Sequence, residues 1–147
     1  MYRIAICDDD LVFGSLLEQY LQNFAKTRRI PIDVLVFARG EEYLEFLIEE
    51  LPVDLIFLDI QFEKGLDGVQ IGKELRADIK NEMTQIIYIS GIESYAMQLF
   101  QNRPMDFLVK PVKQERVDHI MEEYLRLFGN RNKQYFAVSY THLTLPD

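Results

Sequence analysis

The segment Ile4-Ala5-Ile6-Cys7-Asp8-Asp9-Asp10 opens with a short apolar run and stops at three aspartates. An apolar run of this length, bounded by polar residues, predicts a buried strand. After Asp10, a suitable N-cap, apolar residues recur at helical spacing and form one buried stripe. The stripe consists of Phe13, Leu16, Leu17, Tyr20, Leu21 and Phe24. The chain therefore begins with a strand followed by a helix.

The same alternation recurs along the chain. Further strands are predicted at Ile32 to Phe37, Val53 to Leu58, Gln85 to Ser90 and Phe107 to Val109. Further helices are predicted near Glu41 to Glu50, Val69 to Ile79, Ser94 to Gln101 and Val117 to Phe128, with Gly129-Asn130 as a stop signal. Strands that alternate with helices pair in parallel, and right-handed crossovers place helices on both faces. We therefore expect a doubly wound α/β fold, (βα)5, with a five-stranded parallel sheet.

Length and composition narrow the class of protein. A chain of 147 residues predicts one domain, and 48% hydrophobic residues can supply its core. A net charge of −8 without a cluster of basic residues argues against nucleic-acid binding by this segment. The single cysteine excludes a disulfide framework, and no apolar run reaches the roughly 18 residues of a membrane span. We expect a cytoplasmic protein that does not enter the membrane.

Polar side chains stand where four of the predicted strands end. Asp8 and Asp9 follow the first strand, and Asp59, Ser90 and Lys110 lie at the ends of the third, fourth and fifth. In open parallel sheets, ligands bind beyond the carboxyl ends of the strands. Two carboxylates about 5 Å apart repel by roughly 3 kcal/mol at an effective dielectric of 20, so three of them need a cation or must take up protons. Oxygen ligands of this charge suit Mg²⁺.

Phosphoryl chemistry fits such a site. A carboxylate can attack phosphorus when charge on the transferring oxygens is neutralised, here by Mg²⁺, by Lys110 and by the hydroxyl of Ser90. Asp59 is the best nucleophile because it ends the central strand and precedes a loop, Ile60 to Asp67, that leaves room for a donor. We expect Asp59 to be ionised at neutral pH, so that it needs no general base.

These motifs resemble the CheY-like receiver domains of two-component response regulators. The resemblance covers residues 2 to about 128 and depends on five dipeptides in the family's order and spacing: Asp8-Asp9, Leu58-Asp59, Asp67-Gly68, Ser90-Gly91 and Lys110-Pro111. It implies a flavodoxin/CheY-like fold with strand order 2-1-3-4-5. It also implies that Asp59 is the phosphoacceptor, and that the Mg²⁺ ligands are Asp8, through a water molecule, Asp9, Asp59 and the main-chain carbonyl of Gln61.

The resemblance further implies a signalling switch rather than a metabolic enzyme. A sensor histidine kinase would donate the phosphoryl group, and the domain would catalyse only its own Mg²⁺-assisted phosphorylation and slow dephosphorylation. Ser90 and Lys110 correspond to the phosphate-sensing pair, and Ser90 and Phe107 to the residues that move in the switch. The Lys110-Pro111 bond would be cis. Phosphorylation-dependent homodimerisation is the expected readout.

The segments Glu93 to Phe100 and Met105 to Pro111 look most like the LytTR branch of this family. Regulators of that branch carry a C-terminal DNA-binding domain. Residues 1–128 would then form the receiver domain, and residues 129–147 a linker or tail. The strand-like piece Tyr135 to Tyr140 is compatible with the start of such a DNA-binding domain, and a non-native tail is equally compatible. DNA contact would require that further domain.

Two other functions remain open at this stage. Asp8-Asp9-Asp10 contains the Asp-x-Asp spacing of haloacid-dehalogenase-type phosphohydrolases, in which Asp8 would be the nucleophile. The second is a receiver-like interaction module that is never phosphorylated. This function stays open because the loop from Asp59 to Asp67 is one residue longer than in the family and lacks the usual proline. The acidic residues of the second predicted helix, Glu41, Glu42, Glu45, Glu49 and Glu50, are interpreted as a solvated face.

Overall fold

A computed structural model describes residues 1–62, 65–91 and 100–129. It contains a five-stranded parallel sheet in the order β2-β1-β3-β4-β5. The strands are β1 Tyr2–Cys7, β2 Ile32–Phe37, β3 Leu55–Asp59, β4 Gln85–Ser90 and β5 Asp106–Val109. The described helices are α1 Leu11–Arg28, α2 Gly40–Glu49, α3 Gly68–Ala77 and α4 Gln114–Tyr124, with a π-helical turn at Leu125–Gly129 and 3₁₀ turns at Ile79–Asn81 and Phe100–Asn102.

The doubly wound α/β fold and the strand order 2-1-3-4-5 are confirmed. The predicted helix from Ser94 to Gln101 falls mostly on residues 92–99, outside the described residues, and its last positions belong to the 3₁₀ turn at Phe100–Asn102. The tail from residue 130 onward also lies outside them. Strand β3 begins at Leu55, two residues later than predicted, and ends one residue later because Asp59 still pairs with Ile89 of β4.

Each face of the sheet is covered by its own apolar cluster, as parallel sheets with crossover helices require. Successive side chains of a strand point to opposite faces. Accordingly, Ile4 and Ile6 pack in a cluster that includes side chains of α1 and α4. Ala5 and Cys7 pack in the other, together with side chains of α2 and α3. Within the described residues, no helix combines the length and apolarity needed to cross a bilayer.

Side-chain caps fix two helices at the carboxyl edge of the sheet. The predicted N-cap of α1 is confirmed, since Asp10 Oδ1 accepts hydrogen bonds from the main-chain nitrogens of Val12 and Phe13, both at 3.1 Å. Helix α3 begins with a capping box in which Asp67 and Gln70 each accept from the other's main-chain nitrogen, at 2.9 and 3.0 Å. Caps of this kind are worth about 1 kcal/mol each, and these two hold the helix starts beside the strand ends.

Two helical glycines should respond to alanine with opposite signs. A Cβ at Gly72 would lie 2.0 Å from the hydroxyl of Tyr88, a fully buried side chain, so we expect Gly72→Ala to cost about 1 to 3 kcal/mol. At Gly14 the nearest atom would be 3.7 Å away, so Gly14→Ala should stabilise the protein by about 0.5 to 1 kcal/mol. Urea denaturation measures both, and equal effects would contradict the packing described for Gly72.

Candidate functional site

Three carboxylates meet at the carboxyl edge of the sheet. Strands β1 and β3 are neighbours, with Cys7 paired to Leu58, so the residues that follow them lie side by side. One oxygen each of Asp8, Asp9 and Asp59 lies within 4.8 Å of the other two. Asp8 is fully buried and Asp59 is only 5% exposed. The structure therefore brings together the three acids that the sequence pointed to.

Main-chain groups orient two of these carboxylates. Asp8 Oδ1 accepts a hydrogen bond from the nitrogen of Asp10 at 2.9 Å, within the turn that leads into α1. Asp59 Oδ1 accepts one from the nitrogen of Gln61 at 3.2 Å, at the start of the loop that follows β3. These short-range bonds hold each acid in place at the end of its strand. The predicted ligand residue Gln61 thus lies at the rim of the cluster, in contact with Asp59 through its main chain.

Lys110 brings a positive charge to the cluster. Its Nζ lies 3.1 Å from Asp8 Oδ2, an oxygen that accepts no hydrogen bond within the described residues, so the contact is an ion pair. The same Nζ lies 4.4 Å from the centre of the Phe13 ring, a cation–π geometry. The Lys110-Pro111 peptide bond is cis, as the resemblance implies. One ammonium group faces three carboxylates, which leaves an excess of negative charge.

That excess changes the protonation of Asp59. Burial, and then the negative charge of Asp8, raise the pKa of Asp59 to about 7, although the Gln61 N–H and Lys110 act in the opposite direction. With a pKa of about 7, Asp59 is only partly ionised at neutral pH in the metal-free site, whereas the sequence analysis expected it to be ionised, because the ordinary carboxyl value ignores burial and the second carboxylate. The cluster needs either a proton or a cation, as its charge predicted.

The residues of the cluster fit a magnesium ion. All donors are oxygens, two of the three acids are buried, and Asp8 Oδ2 forms an ion pair with Lys110 but accepts no hydrogen bond from the part of the chain that the structure describes. Mg²⁺ prefers carboxylate and carbonyl oxygen and keeps some of its waters. The donor set and its uncompensated charge therefore suit this ion.

Ser90 and Phe107 lie on β4 and β5, the two strands that follow β3 across the sheet. Ser90 is the last residue of β4, one position beyond the Asp59–Ile89 pair, and it is buried. Phe107 of β5 pairs with Tyr88 and stacks on its ring, with centroids 6.1 Å apart and an angle of 25° between the planes. The Phe100 ring meets Phe107 edge-on at 6.0 Å. The predicted switch residues are thus two positions apart in strand register, on adjacent strands.

Two residues near the site have roles that the sequence analysis did not assign. Phe13 was predicted only as part of the buried stripe of α1, yet its ring lies beneath the Lys110 ammonium. Glu41 was interpreted as part of a solvated face, yet its Oε2 accepts a hydrogen bond from the Leu66 nitrogen at 3.1 Å. Neither contact leaves a signal in the spacing of residues, since each joins segments brought together only by the fold.

Replacing Asp59 tests the electrostatics of the cluster. We expect Asp59→Asn to stabilise the metal-free protein by about 1 to 3 kcal/mol near pH 8, because the amide removes one of the crowded charges. Folding raises the pKa of Asp59, so the wild type loses stability as the pH rises from 3.8 to about 7. The advantage of the variant should therefore grow across this range and then level off.

Urea denaturation in EDTA at a series of pH values measures this difference. Asp10→Asn is the matched control, because asparagine also caps helices and Asp10 lies outside the cluster. An advantage of Asp59→Asn that does not change with pH would contradict the raised pKa.

Comparison with known proteins extends these observations. The family model described as "Response regulator receiver domain" matches residues 4–122. Sensory transduction protein LytT of Oceanobacillus iheyensis is 34% identical over 77 residues, which are 52% of this chain and 30% of that protein. The chain spans between 30% and 52% of the length of the curated relatives that it matches.

Solved structures of receiver domains share the fold. The response regulatory domain of mrkE from Klebsiella pneumoniae superposes with a TM-score of 0.75 at 21% identity, over 87% of this chain and 98% of that one. Response regulator TrrA of Thermotoga maritima, solved in complex with Mg²⁺-BeF, gives 0.69 at 24% identity, over 84% and 98%. The family match leaves no support for the phosphohydrolase alternative. With its fold, its acidic cluster and a matching family model over residues 4–122, the chain belongs to the response regulator receiver domains.

Proposed function

We propose that this domain is a Mg²⁺-dependent phosphoacceptor, which receives a phosphoryl group on Asp59 from a sensor histidine kinase in the cytoplasm. The observation that carries the proposal is the convergence of Asp8, Asp9 and Asp59 within 4.8 Å, with Lys110 paired to Asp8. Such a set of groups has the charges that phosphoryl transfer needs. Burying carboxylates without compensating partners lowers the stability of the fold, which favours a functional reason for the cluster.

The cluster provides for both the metal and the phosphate. Asp9, Asp59 and the carbonyl of Gln61 would hold Mg²⁺ directly, and Asp8 would hold it through a water molecule. When bound, Mg²⁺ supplies positive charge that offsets the carboxylates and the transferring oxygens. The receiver domain of histidine kinase PA1611 from Pseudomonas aeruginosa has a magnesium ion coordinated in its active-site cleft. Its resemblance in fold supports the same use of the acidic cluster here.

In the transfer step, an ionised oxygen of Asp59 attacks phosphorus opposite the bond to the histidine of the kinase. The O–P bond forms while the N–P bond breaks, and the electron pair of that bond stays on the imidazole nitrogen. Lys110 loses part of its pairing with Asp8 and turns its ammonium toward a phosphoryl oxygen. Ser90 donates its hydroxyl proton in a hydrogen bond to another. The product is an aspartyl phosphate at the end of β3.

The modified site would then favour a second conformation. Ser90 follows the phosphate, and Phe107 shifts with it, which changes the surface around β5 and α4. A ligand shifts such an equilibrium only by its differential affinity for the two states, and here Ser90 and Lys110 supply that difference. The proposed readout is homodimerisation, coupled to transcription through a C-terminal DNA-binding domain that follows a receiver domain at 1–128 and a linker within 129–147.

Asp59→Asn should abolish phosphorylation by acetyl phosphate and Mg²⁺, because an amide oxygen is a far weaker nucleophile toward phosphorus. Intact-mass spectrometry detects the 80 Da adduct, and EDTA should prevent it in the wild type. Asp10→Asn, which keeps the helix cap, serves as the control and should label as the wild type does.

Labelling of Asp59→Asn at the wild-type rate would remove Asp59 from its role. A wild type that takes no label with acetyl phosphate or with a phosphorylated kinase would favour the interaction module. Repeated turnover of p-nitrophenyl phosphate that is lost in Asp8→Asn would instead restore the phosphohydrolase.

Mg²⁺ with beryllofluoride, which mimics a phosphoryl group on a carboxylate, should convert the wild type from monomer to dimer. Sedimentation velocity measures the change, and Asp59→Asn should stay monomeric under the same conditions. The physical reason is that only the occupied site biases Ser90 and Phe107 toward the dimerising surface. A wild type whose sedimentation is unchanged by beryllofluoride would contradict dimerisation as the readout.

A further inference from the structure

The side chain of Glu41 reaches from the first turn of α2 to the loop between β3 and α3. Its Oε2 accepts a hydrogen bond from the Leu66 nitrogen at 3.1 Å. We infer that Glu41 is a positioning residue for phosphoryl transfer, which fixes Leu66 and, through the Gly68–Ile60 hydrogen bond, the proposed metal ligand at Gln61. The inference rests on the proposed function and adds to it a residue that belongs to neither the acidic cluster nor the switch.

The contact between Glu41 and the loop is close. Gly65 has a φ of +85°, in the left-handed region that favours glycine. A Cβ at Gly65 would lie 2.0 Å from Glu41 Oε2. The carboxylate therefore packs directly against the main chain of Gly65 and Leu66, and a side chain at position 65 would displace it.

The Glu41 carboxylate is partly buried, which is unfavourable for a charged group. Its Oε1 is buried and accepts no hydrogen bond within the described residues, while Oε2 accepts the bond from Leu66. Burying a carboxylate oxygen without a partner is unfavourable. The location at the amino end of α2 offsets part of this cost, because a helix N-terminus favours negative charge.

The first turn of α2, which carries Glu41, packs tightly against α3. A Cβ at the neighbouring Gly40 would lie 2.5 Å from the side chain of Ile71 in α3, so the start of α2 is pressed against α3. Ile71 is fully buried. Glu41 therefore holds Leu66 from an anchored support rather than from a free helix end.

The other end of the same loop contacts the phosphoacceptor. The Gln61 nitrogen donates to Asp59 Oδ1 at 3.2 Å, and the Gly68 nitrogen closes the loop on the carbonyl of Ile60 at 2.7 Å. Leu66 is followed directly by Asp67 and Gly68, so the hydrogen bond from Gly68 to Ile60 links Leu66 to the residue before Gln61. Fixing Leu66 therefore helps to hold Ile60, and with it Gln61, whose carbonyl would face Mg²⁺.

Removing the acceptor should weaken Mg²⁺ binding while leaving the chemical step intact. We expect Glu41→Ala to raise the Mg²⁺ dissociation constant about tenfold, the usual scale for a residue that orients a metal ligand. Its rate of phosphorylation by acetyl phosphate should return to within about twofold of the wild type at saturating Mg²⁺. Glu41→Gln keeps an acceptor for Leu66 and should stay within about twofold in both respects.

Glu42→Ala is the matched control. It removes the same charge from the same turn of α2, and the Glu42 side chain is exposed. It should change the Mg²⁺ dissociation constant by less than about twofold. Hydrogen exchange measured by NMR gives an independent readout, since the Leu66 amide should exchange at least about tenfold faster in Glu41→Ala than in Glu42→Ala once its bond is lost.

Titration calorimetry with Mg²⁺ alone and labelling with acetyl phosphate separate the two proposals. If the wild type binds Mg²⁺ and is labelled, and Glu41→Ala has the same Mg²⁺ dissociation constant, the positioning role is overturned and the phosphoacceptor function stands. Wild-type Mg²⁺ binding without labelling would overturn the function, while the effect of Glu41 on the dissociation constant would still decide its own role. Equal weakening in Glu41→Ala and Glu42→Ala, or in Glu41→Ala and Glu41→Gln, would assign the effect to charge and overturn the inference.

A second variant covers the case in which Glu41→Ala does not fold. Gly65→Ala keeps the Glu41 carboxylate but places a Cβ 2.0 Å from its Oε2, which must then move, so the variant should weaken Mg²⁺ binding to a similar extent. Thermal denaturation in EDTA establishes that the variant is folded. Wild-type Mg²⁺ affinity in folded Gly65→Ala would count against the inference.

Discussion

The unbalanced charge at the carboxyl edge of the sheet is the constraint on which the rest of the site depends. Three carboxylates lie within 4.8 Å of one another, and Lys110 pairs with Asp8 at 3.1 Å. Parallel pairing makes this crowding unavoidable, since β1 and β3 end side by side. The cost appears in the pKa of Asp59, raised to about 7. Under the proposed function, a divalent cation would relieve it by adding positive charge, and the phosphoryl group would give Lys110 and Ser90 a new partner.

The surrounding structure is built to resist relaxation of that crowding. Asp8 and Asp59 extend strands that are packed on both faces, so neither acid can withdraw without moving the core. The start of α3 is equally tight, because a Cβ at Gly68 would lie 2.1 Å from the carbonyl oxygen of Asp59. Close packing transmits strain instead of absorbing it. A site that stores unfavourable electrostatic energy therefore needs this rigid setting, at the expense of stability.

The sequence was sufficient for the fold and for the members of the acidic cluster, for one shared reason. Apolar runs such as Ile56 to Leu58 mark buried strands, and the residue after each run must lie at the sheet edge. Side-chain contacts between segments that are distant in the chain could not be predicted from the sequence. The ring of Phe13 beneath Lys110 and the bond from Leu66 to Glu41 join elements whose relative placement no periodicity encodes. The pKa of Asp59 was missed because it depends on burial, which spacing indicates only coarsely.

The packing of Phe107 determines part of the free energy that phosphorylation would have to supply to move this proposed switch residue. Its ring stacks on Tyr88, whose hydroxyl accepts a hydrogen bond from Asn102 Nδ2 at 2.9 Å. Asn102 is tied in turn to Arg76, since its carbonyl accepts from the Arg76 guanidinium at 2.7 Å. Phe107 can therefore leave only by breaking the stack, because Tyr88 is held. An aromatic pair contributes about 0.5 to 1.5 kcal/mol beyond its buried area, whereas reversing a 1:99 equilibrium takes about 5.5 kcal/mol of differential binding. Under the proposed function, contacts of the phosphoryl group with Lys110 and Ser90 would have to supply most of that difference, and the aromatic packing would change it only slightly.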